Sequence, residues 1–226
     1  MNDYDHYFKR QIELWGKTKQ ESLKDKSIAI IGAGGLGSSL AMALGTSGIG
    51  RVDMVDFDEV SIHNIHRQIA FTLEDEGKNK AQVVAKLMES KSPFVQTHYY
   101  SCDFKSFVSQ SPHHYDLILD ATDNLPTRKD IDEYAKMTNT PWIYASVEEF
   151  NGQICFFNES SFKVFNISDH KPAGIAAPIV MSIASIQANF ALRYLVGLEV
   201  PKDILHYIYF NEAGEFITQK FKMPKS

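Results

Sequence analysis

Ser27-Ile28-Ala29-Ile30-Ile31-Gly32-Ala33-Gly34-Gly35-Leu36-Gly37-Ser38 is the stretch from which the rest of the chain is read. Ile28, Ile30 and Ile31 form a short apolar run of strand character that breaks at Gly32. Gly32, Gly34 and Gly37 then fit G-x-G-x-x-G. Glycine is needed there for a tight turn, for backbone approach to a pyrophosphate, and for helix packing on strand. The next helix offers unpaired N–H groups and partial positive charge, where an anionic phosphate settles. Downstream, Val52, Met54 and Val55 make a second strand that ends at Asp56, an acidic group able to accept hydrogen bonds from ribose hydroxyls. The stretch predicts a nucleotide site.

The glycines and Asp56 alone favour a nicotinamide or flavin dehydrogenase, with a plain strand–helix turn as the other reading. The residues beyond Asp56 shift the balance. Asp58, Asn64, Arg67, Gln68 and Lys80 come in short order, and Arg67 and Lys80 are what a triphosphate needs, because cations neutralise charge building on phosphorus and on leaving pyrophosphate. Tyr115 to Asp120 reads as a buried parallel strand emptying into Ala121-Thr122-Asp123-Asn124. Asp123 or Asn124 is open to two readings, as the cap of the helix beginning near Pro126, or with Asp123 holding a hard Mg²⁺ beside phosphate oxygens. His63 and His66 lack a third ligand nearby and are expected as surface or supporting groups.

The 226 residues suit one α/β domain and are short for two. A net charge of −5 speaks against a nucleic-acid binder. Asp3, Asp5 and Lys9 interrupt any amino-terminal signal pattern, so a cytoplasmic protein is expected. Two cysteines, Cys102 and Cys155, exclude a disulfide framework and read as buried inert thiols. Pro178 to Leu198 is strongly apolar, yet Ser182, Ser185, Gln187, Asn189 and Arg193 make it a buried helix rather than a membrane span. Helices are expected over Tyr7 to Gly16, Lys17 to Lys26, Leu36 to Ser47 and Glu74 to Ser90. Further strands are expected over Thr97 to Cys102, Trp142 to Val147 and Gln153 to Phe157, with a closing hairpin over Leu205 to Phe210 and Phe216 to Phe221.

The ordered set Arg10-Gln11, G-A-G-G-L-G-S, V-D-F-D-x-V-x-x-x-N-x-x-R-Q, G-K-x-K-A, D-A-T-D-N and S-I-Q-A-N resembles the ThiF/MoeB/HesA family, bacterial relatives of ubiquitin-activating enzymes, from about Tyr7 to about Phe221. The resemblance implies an α/β fold with a Rossmann-like, doubly wound, mostly parallel sheet extended by antiparallel C-terminal strands. It implies one adenylation domain over 1–226: a helical arm (1–26), a nucleotide-binding part (27–147), then antiparallel strands, a buried helix and a hairpin (148–226). The activity implied is ATP- and Mg²⁺-dependent adenylation of the C-terminal Gly-Gly carboxylate of a small ubiquitin-like sulfur carrier for thiamine or molybdopterin sulfur transfer. A ThiS-type carrier stands ahead of a MoaD-type one, and a homodimer and a sulfurtransferase partner come with it. No nucleic-acid or membrane partner is implied. Carried over by motif, Asp56 resembles the ribose ligand, and Gly34 and Gly35 the phosphate-loop backbone, flanked by Gly32 and Gly37. Asn64, Arg67 and Lys80 resemble the triphosphate contacts, with Asp58, Gln68, Thr122 and Asn124 beside them. Asp123 resembles the magnesium ligand, and Arg10 an arginine extended into the partner's site. A non-catalytic carrier-binding scaffold and a NAD- or FAD-dependent oxidoreductase are the alternatives.

Two departures from the family pattern stand out. Many members hold a structural zinc with paired C-x-x-C motifs, whereas here the loop S-S-F-K-V-F-N-I-S-D-H-K-P and the tail M-P-K-S carry no cysteine. No zinc is therefore expected, and Phe162 and Phe165 are expected to pack in its place. Some relatives also carry a cysteine before the A-G-V/I-x-x-P segment, where this chain has His170-Lys171-Pro172, so covalent capture there is not expected.

Overall fold

The computed structural model describes residues 3–111, 113–165 and 173–225. Three short helices, α1 (Asp3–Tyr7), α2 (Lys9–Trp15) and α3 (Lys17–Ser22), form the arm. The expected helix over Lys17 to Lys26 stops at Ser22 and tightens into a 3-10 turn over Leu23–Asp25. Two strand-entry hydrogen bonds claim this backbone instead: Gly50 N–H donates to the Leu23 carbonyl (2.9 Å) and Arg51 N–H to that of Lys26 (3.0 Å).

Next come β1 (Ser27–Ile31), α4 (Gly35–Leu44) and β2 (Arg51–Val55), then one helical turn, α5 (Ile62–Ile65). The helix expected from Glu74 begins only at Lys80, as α6 (Lys80–Lys91). Thr72 and Asp75 close a capping box around a 3-10 turn, Gly77 is left-handed at φ +77°, and the Asn79 side chain accepts from Gln82 N–H as the true cap. No helix continues through a left-handed residue. The third strand, β3 (Gln96–Tyr100), stops before Cys102. A helix not anticipated from the pattern, α7 (Phe104–Gln110), comes next, capped by Asp103.

The remaining elements are β4 (Leu117–Asp120), α8 (Leu125–Thr138), β5 (Trp142–Glu148), β6 (Asn151–Phe157), α9 (Ala177–Leu195), β7 (Ile204–Phe210) and β8 (Phe216–Lys222). All eight strands make one sheet in the order β3-β2-β1-β4-β5-β6-β7-β8. Pairing is parallel from β3 to β5 and antiparallel from β5 to β8. This is the doubly wound, mostly parallel sheet with antiparallel C-terminal strands.

Strand alternation divides the interior in two. Ile28 and Ile30 of β1, with Val52 and Met54 of β2, face α4, α6 and α9. Ala29, Ile31 and Val55 face the opposite side, with Phe104, Phe107 and Ile131 of α7 and α8. With both faces covered, the central strands read as apolar runs rather than as alternation. Gly35 lets α4 approach α9, since a Cβ there would lie 2.7 Å from Val180 Cγ1.

Phe162 and Phe165 pack inward, joining Trp142, Tyr144 and Phe157, with the Trp142 and Phe157 rings stacked at 4.7 Å. The tail runs beside the same loop through a Ser160–Lys225 bridge. His170, Lys171 and Pro172 lie outside the described residues. Cys155 is buried in β6 and Cys102 half-buried, and burial raises both thiols above their ordinary range. No helix among the described residues is long and apolar enough to cross a membrane.

Candidate functional site at the glycine loop

The glycine loop lies where β1 ends, between the carboxyl ends of β2 and β4, the crevice that receives ligands in open α/β sheets. Gly32 is left-handed (φ +99°), and a Cβ on it would lie 2.6 Å from the Ala121 carbonyl oxygen. A Cβ on Gly37 would overlap the Gly32 carbonyl. These two contacts pin the turn to the 121–122 segment and to α4.

Asp56 folds onto this loop. Its carboxylate accepts Ala33 N–H (2.6 Å) and Asp58 N–H (2.8 Å), leaving acceptor capacity on both oxygens. Burial raises its carboxyl above the ordinary range, against the pull of those N–H groups and of Lys80. Lys80, first residue of α6, is 6 % exposed, and its ammonium donates to Asp58 Oδ2 at 2.9 Å. Asn79 ties the two segments together, donating to the carbonyls of Asp56 (2.9 Å) and Asp58 (3.2 Å) and to Ser101 Oγ (3.0 Å). The motif pattern passes over Asn79. Its place one residue before a helix start is the signal that could have found it.

Asn64 and Gln68 are buried and Arg67 half-buried. A Cβ on Gly34 would lie 3.4 Å from Gln68 Nε2, and one on Gly35 would lie 3.3 Å from the Arg67 carbonyl. The 64–68 segment therefore flanks the loop opposite β4. Arg67 Nη1 reaches the His63 carbonyl (3.2 Å) and the His66 ring (2.9 Å). Both histidines are exposed.

On the β4 side, Asp120 is fully buried and ion-paired with Arg128 (Nε to Oδ2, 3.1 Å). Burial raises its carboxyl, while Arg128 and the Thr122 donors stabilise the ionised form. Gln187 of α9 donates to the carbonyls of Asp120 (2.9 Å) and Ile143 (3.0 Å), which accounts for the polar residue inside an apolar helix. Asn124 caps α8 through Thr127 N–H (2.9 Å). Asp123 is exposed, and its carboxylate has no hydrogen-bond or ion-pair partner among the described residues. Elsewhere among those residues no three His, Cys, Asp or Glu gather as a metal cage. An unengaged carboxylate beside a phosphate-type loop suits a hard cation that takes its other ligands from phosphate and water.

Arg10 is not brought to this site. It sits on α2, 90 % exposed at its side chain and paired with Glu13. The buried Gln20 carboxamide holds the arm, accepting from Gln11 (2.9 Å) and Trp15 (3.1 Å) and donating to Tyr4 Oη (3.2 Å) and the Ser47 carbonyl (3.0 Å). Ser47 lies just before β2, at the opposite end of the strands from the glycine loop. A groove of about 370 Å³, lined by Ala70, Thr72, Lys78, Gln82 and Leu87 against the outer face of α6, also lies apart from the loop.

Fold and site together define an α/β protein with a glycine loop at the carboxyl ends of β1, β2 and β4, flanked by Asp56, Arg67 and Lys80. The chain belongs to the ThiF family, whose model matches residues 8–226, and it is an enzyme of the adenylyltransferase kind. It is 30% identical over 217 residues to the sulfur carrier protein adenylyltransferase of Thermus thermophilus, covering 88% of this chain and 80% of that one. It is 32% identical to the Escherichia coli sulfur carrier protein ThiS adenylyltransferase, with 89% and 86% covered. Against the Dictyostelium discoideum adenylyltransferase and sulfurtransferase MOCS3 the identity is 31%, but the match covers only 46% of that protein. In fold it is similar to E. coli MccB solved with AMPCPP and MccA, at a TM-score of 0.85 and 19% identity over 100% of this chain and 74% of that one.

Proposed function

We propose that the chain, as one adenylation domain, uses Mg-ATP to adenylate the C-terminal carboxylate of a small ubiquitin-like sulfur carrier, a ThiS-type carrier ahead of a MoaD-type one. One observation carries the reading. Lys80 is buried beside the ribose-type acid Asp56, and its ammonium is paired with the half-exposed Asp58, so it can pass to a phosphate without leaving the Asp58 charge stranded in the core. A dehydrogenase has no use for that cation. Kinship with the Thermus thermophilus and E. coli carrier adenylyltransferases supports the choice of carboxylate.

In this reading the α4 N-terminus and the Gly34 and Gly35 backbone cradle phosphate, and Asp56 accepts the ribose hydroxyls. Asn64, Gln68, Thr122 and Asn124 line the nucleotide, while Arg67 and Lys80 neutralise the phosphates. A carrier carboxylate oxygen attacks the α-phosphorus, the bond to the β-phosphate breaks, and pyrophosphate leaves. No side chain need act as a base, because a C-terminal carboxylate is already ionised at neutral pH. Magnesium held by Asp123 would add positive charge beside the phosphate oxygens. Arg10 serves the site of a second copy, since in its own chain it lies at the far end of the strands. A separate sulfurtransferase takes the acyl-adenylate onward.

The test is ATP–pyrophosphate exchange by the purified chain with Mg²⁺ and ThiS-type or MoaD-type carriers in turn. Exchange with one carrier, abolished when its terminal Gly-Gly is deleted, is the expected result. ATP binding without exchange for either would sink the carrier assignment.

A further inference from the structure

Thr122 is held at every polar group it possesses. Its N–H (2.9 Å) and hydroxyl (2.6 Å) both donate to Asp120 Oδ1, and its carbonyl accepts from Arg128 Nη2 at 2.5 Å. That carbonyl belongs to the peptide bond joining Thr122 to Asp123, so Arg128 fixes the plane from which Asp123 projects. Arg128 is itself immobilised. Its Nε pairs with Asp120 Oδ2 (3.1 Å), Nη2 also reaches the Ala145 carbonyl (3.4 Å), and its guanidinium lies 5.1 Å from the Tyr144 ring centroid. Gln187 holds the Asp120 carbonyl from the other face of the sheet (2.9 Å). The clamp is buried, with Asp120 at 0 % and Arg128 at 5 % exposure, while Asp123, two residues beyond Ala121, stands exposed and unengaged among the described residues.

A buried ion pair is weak support for stability, because desolvation offsets much of the attraction. A guanidinium that spends separate donors on one carboxylate and two carbonyls is using directional reach, which a lysine lacks. We propose that Arg128 is a positioning residue that orients Asp123 toward a divalent cation by locking the Thr122–Asp123 peptide. This rests on the reading of Asp123 as the metal-binding carboxylate under the proposed function. Arg128 does not touch the cation. Its removal would leave Asp123 in place but free to swing, and loss of such orienting partners typically lowers metal affinity by about 10- to 100-fold.

The experiment measures Mn²⁺ binding to the full chain in the presence of ATP by electron paramagnetic resonance, alongside ATP affinity without metal. Removing Arg128 alone would strand the Asp120 charge, so the informative variants are Arg128→Lys, which keeps the charge, and the neutral pair Asp120→Asn with Arg128→Gln. For both, Mn²⁺ affinity is expected to fall about tenfold or more, with metal-free ATP affinity and cooperative unfolding retained. Adding Arg128→Lys to Asp123→Asn should cause no further loss, which a general packing defect would not obey. Unchanged Mn²⁺ affinity in both variants, with Asp123→Asn lowering it, would overturn the role of Arg128. Unchanged affinity in Asp123→Asn itself would overturn the metal reading on which it depends.

Discussion

Lys80 shows how a single side chain can be legible in sequence while its environment is not. G-K-x-K-A marks it as a phosphate candidate, but only the fold buries it against Asp58 at 2.9 Å and brings Asp56 alongside. Because Asp58 is 53 % exposed at its side chain, the pair is an open one and contributes little to stability. Lys80→Ala should therefore fold normally. Carrier-dependent pyrophosphate exchange should drop by about 10²–10³-fold, the usual loss for one preorganised charge-stabilising donor, with carrier binding retained. Exchange persisting near wild-type levels would remove Lys80 from the chemistry.

At the scale of the element, two glycines that look alike in the sequence do different jobs. Gly37 packs α4 onto its own loop, and a Cβ there would overlap the Gly32 carbonyl, which has nowhere to move. Gly77 stands in open space and is needed only for its φ of +77°. Gly77→Ala should thus cost about 1 kcal/mol, the penalty for a left-handed Ala, and leave ATP binding intact. Gly37→Ala should cost clearly more in urea denaturation and abolish ATP binding as the loop is displaced. Equal losses in the two variants would contradict this division. Gly77 also explains the late start of α6, since periodicity runs from Glu74 but the backbone must turn left-handed before Asn79 can cap.

Across the whole molecule, long-range anchors join segments far apart in the chain. Asp203, left-handed at φ +55°, accepts N–H groups from Asn158 (2.9 Å), Glu159 and Ser160 (3.1 Å). Burial alone would raise its carboxyl, but those N–H groups prevail and hold it below the ordinary range. With the folded pKa depressed, its stabilisation is present above the unfolded value near ~4 and lost as pH falls through the folded pKa. Asp203→Asn should lower the melting temperature at neutral pH and flatten the acid limb of the stability curve. An unaltered acid limb would show that other carboxylates govern it. Arg10 tests assembly at the same scale. Arg10→Ala and Lys80→Ala, each inactive alone, should regain about a quarter of wild-type sites when mixed as exchanging dimers, through sites built from one intact copy of each residue. No recovery in demonstrably mixed dimers would place Arg10 outside the partner's site.

The sequence by itself determined the strand–loop–helix unit at Ser27 to Gly37, the places of the strands along the chain, and the residue types suited to a nucleotide. Local physics settles these: apolar runs, glycine where a Cβ cannot fit, and acids and cations at strand ends. The tertiary structure alone decided which groups meet. It placed Asn79 across the loops after β2 and β3, set Arg128 and Gln187 on the two sides of Asp120, and left Arg10 at the far end of the strands from the glycine loop. Those contacts join residues on separate elements, and their partners are set by sheet order and register, which one-dimensional periodicity does not encode.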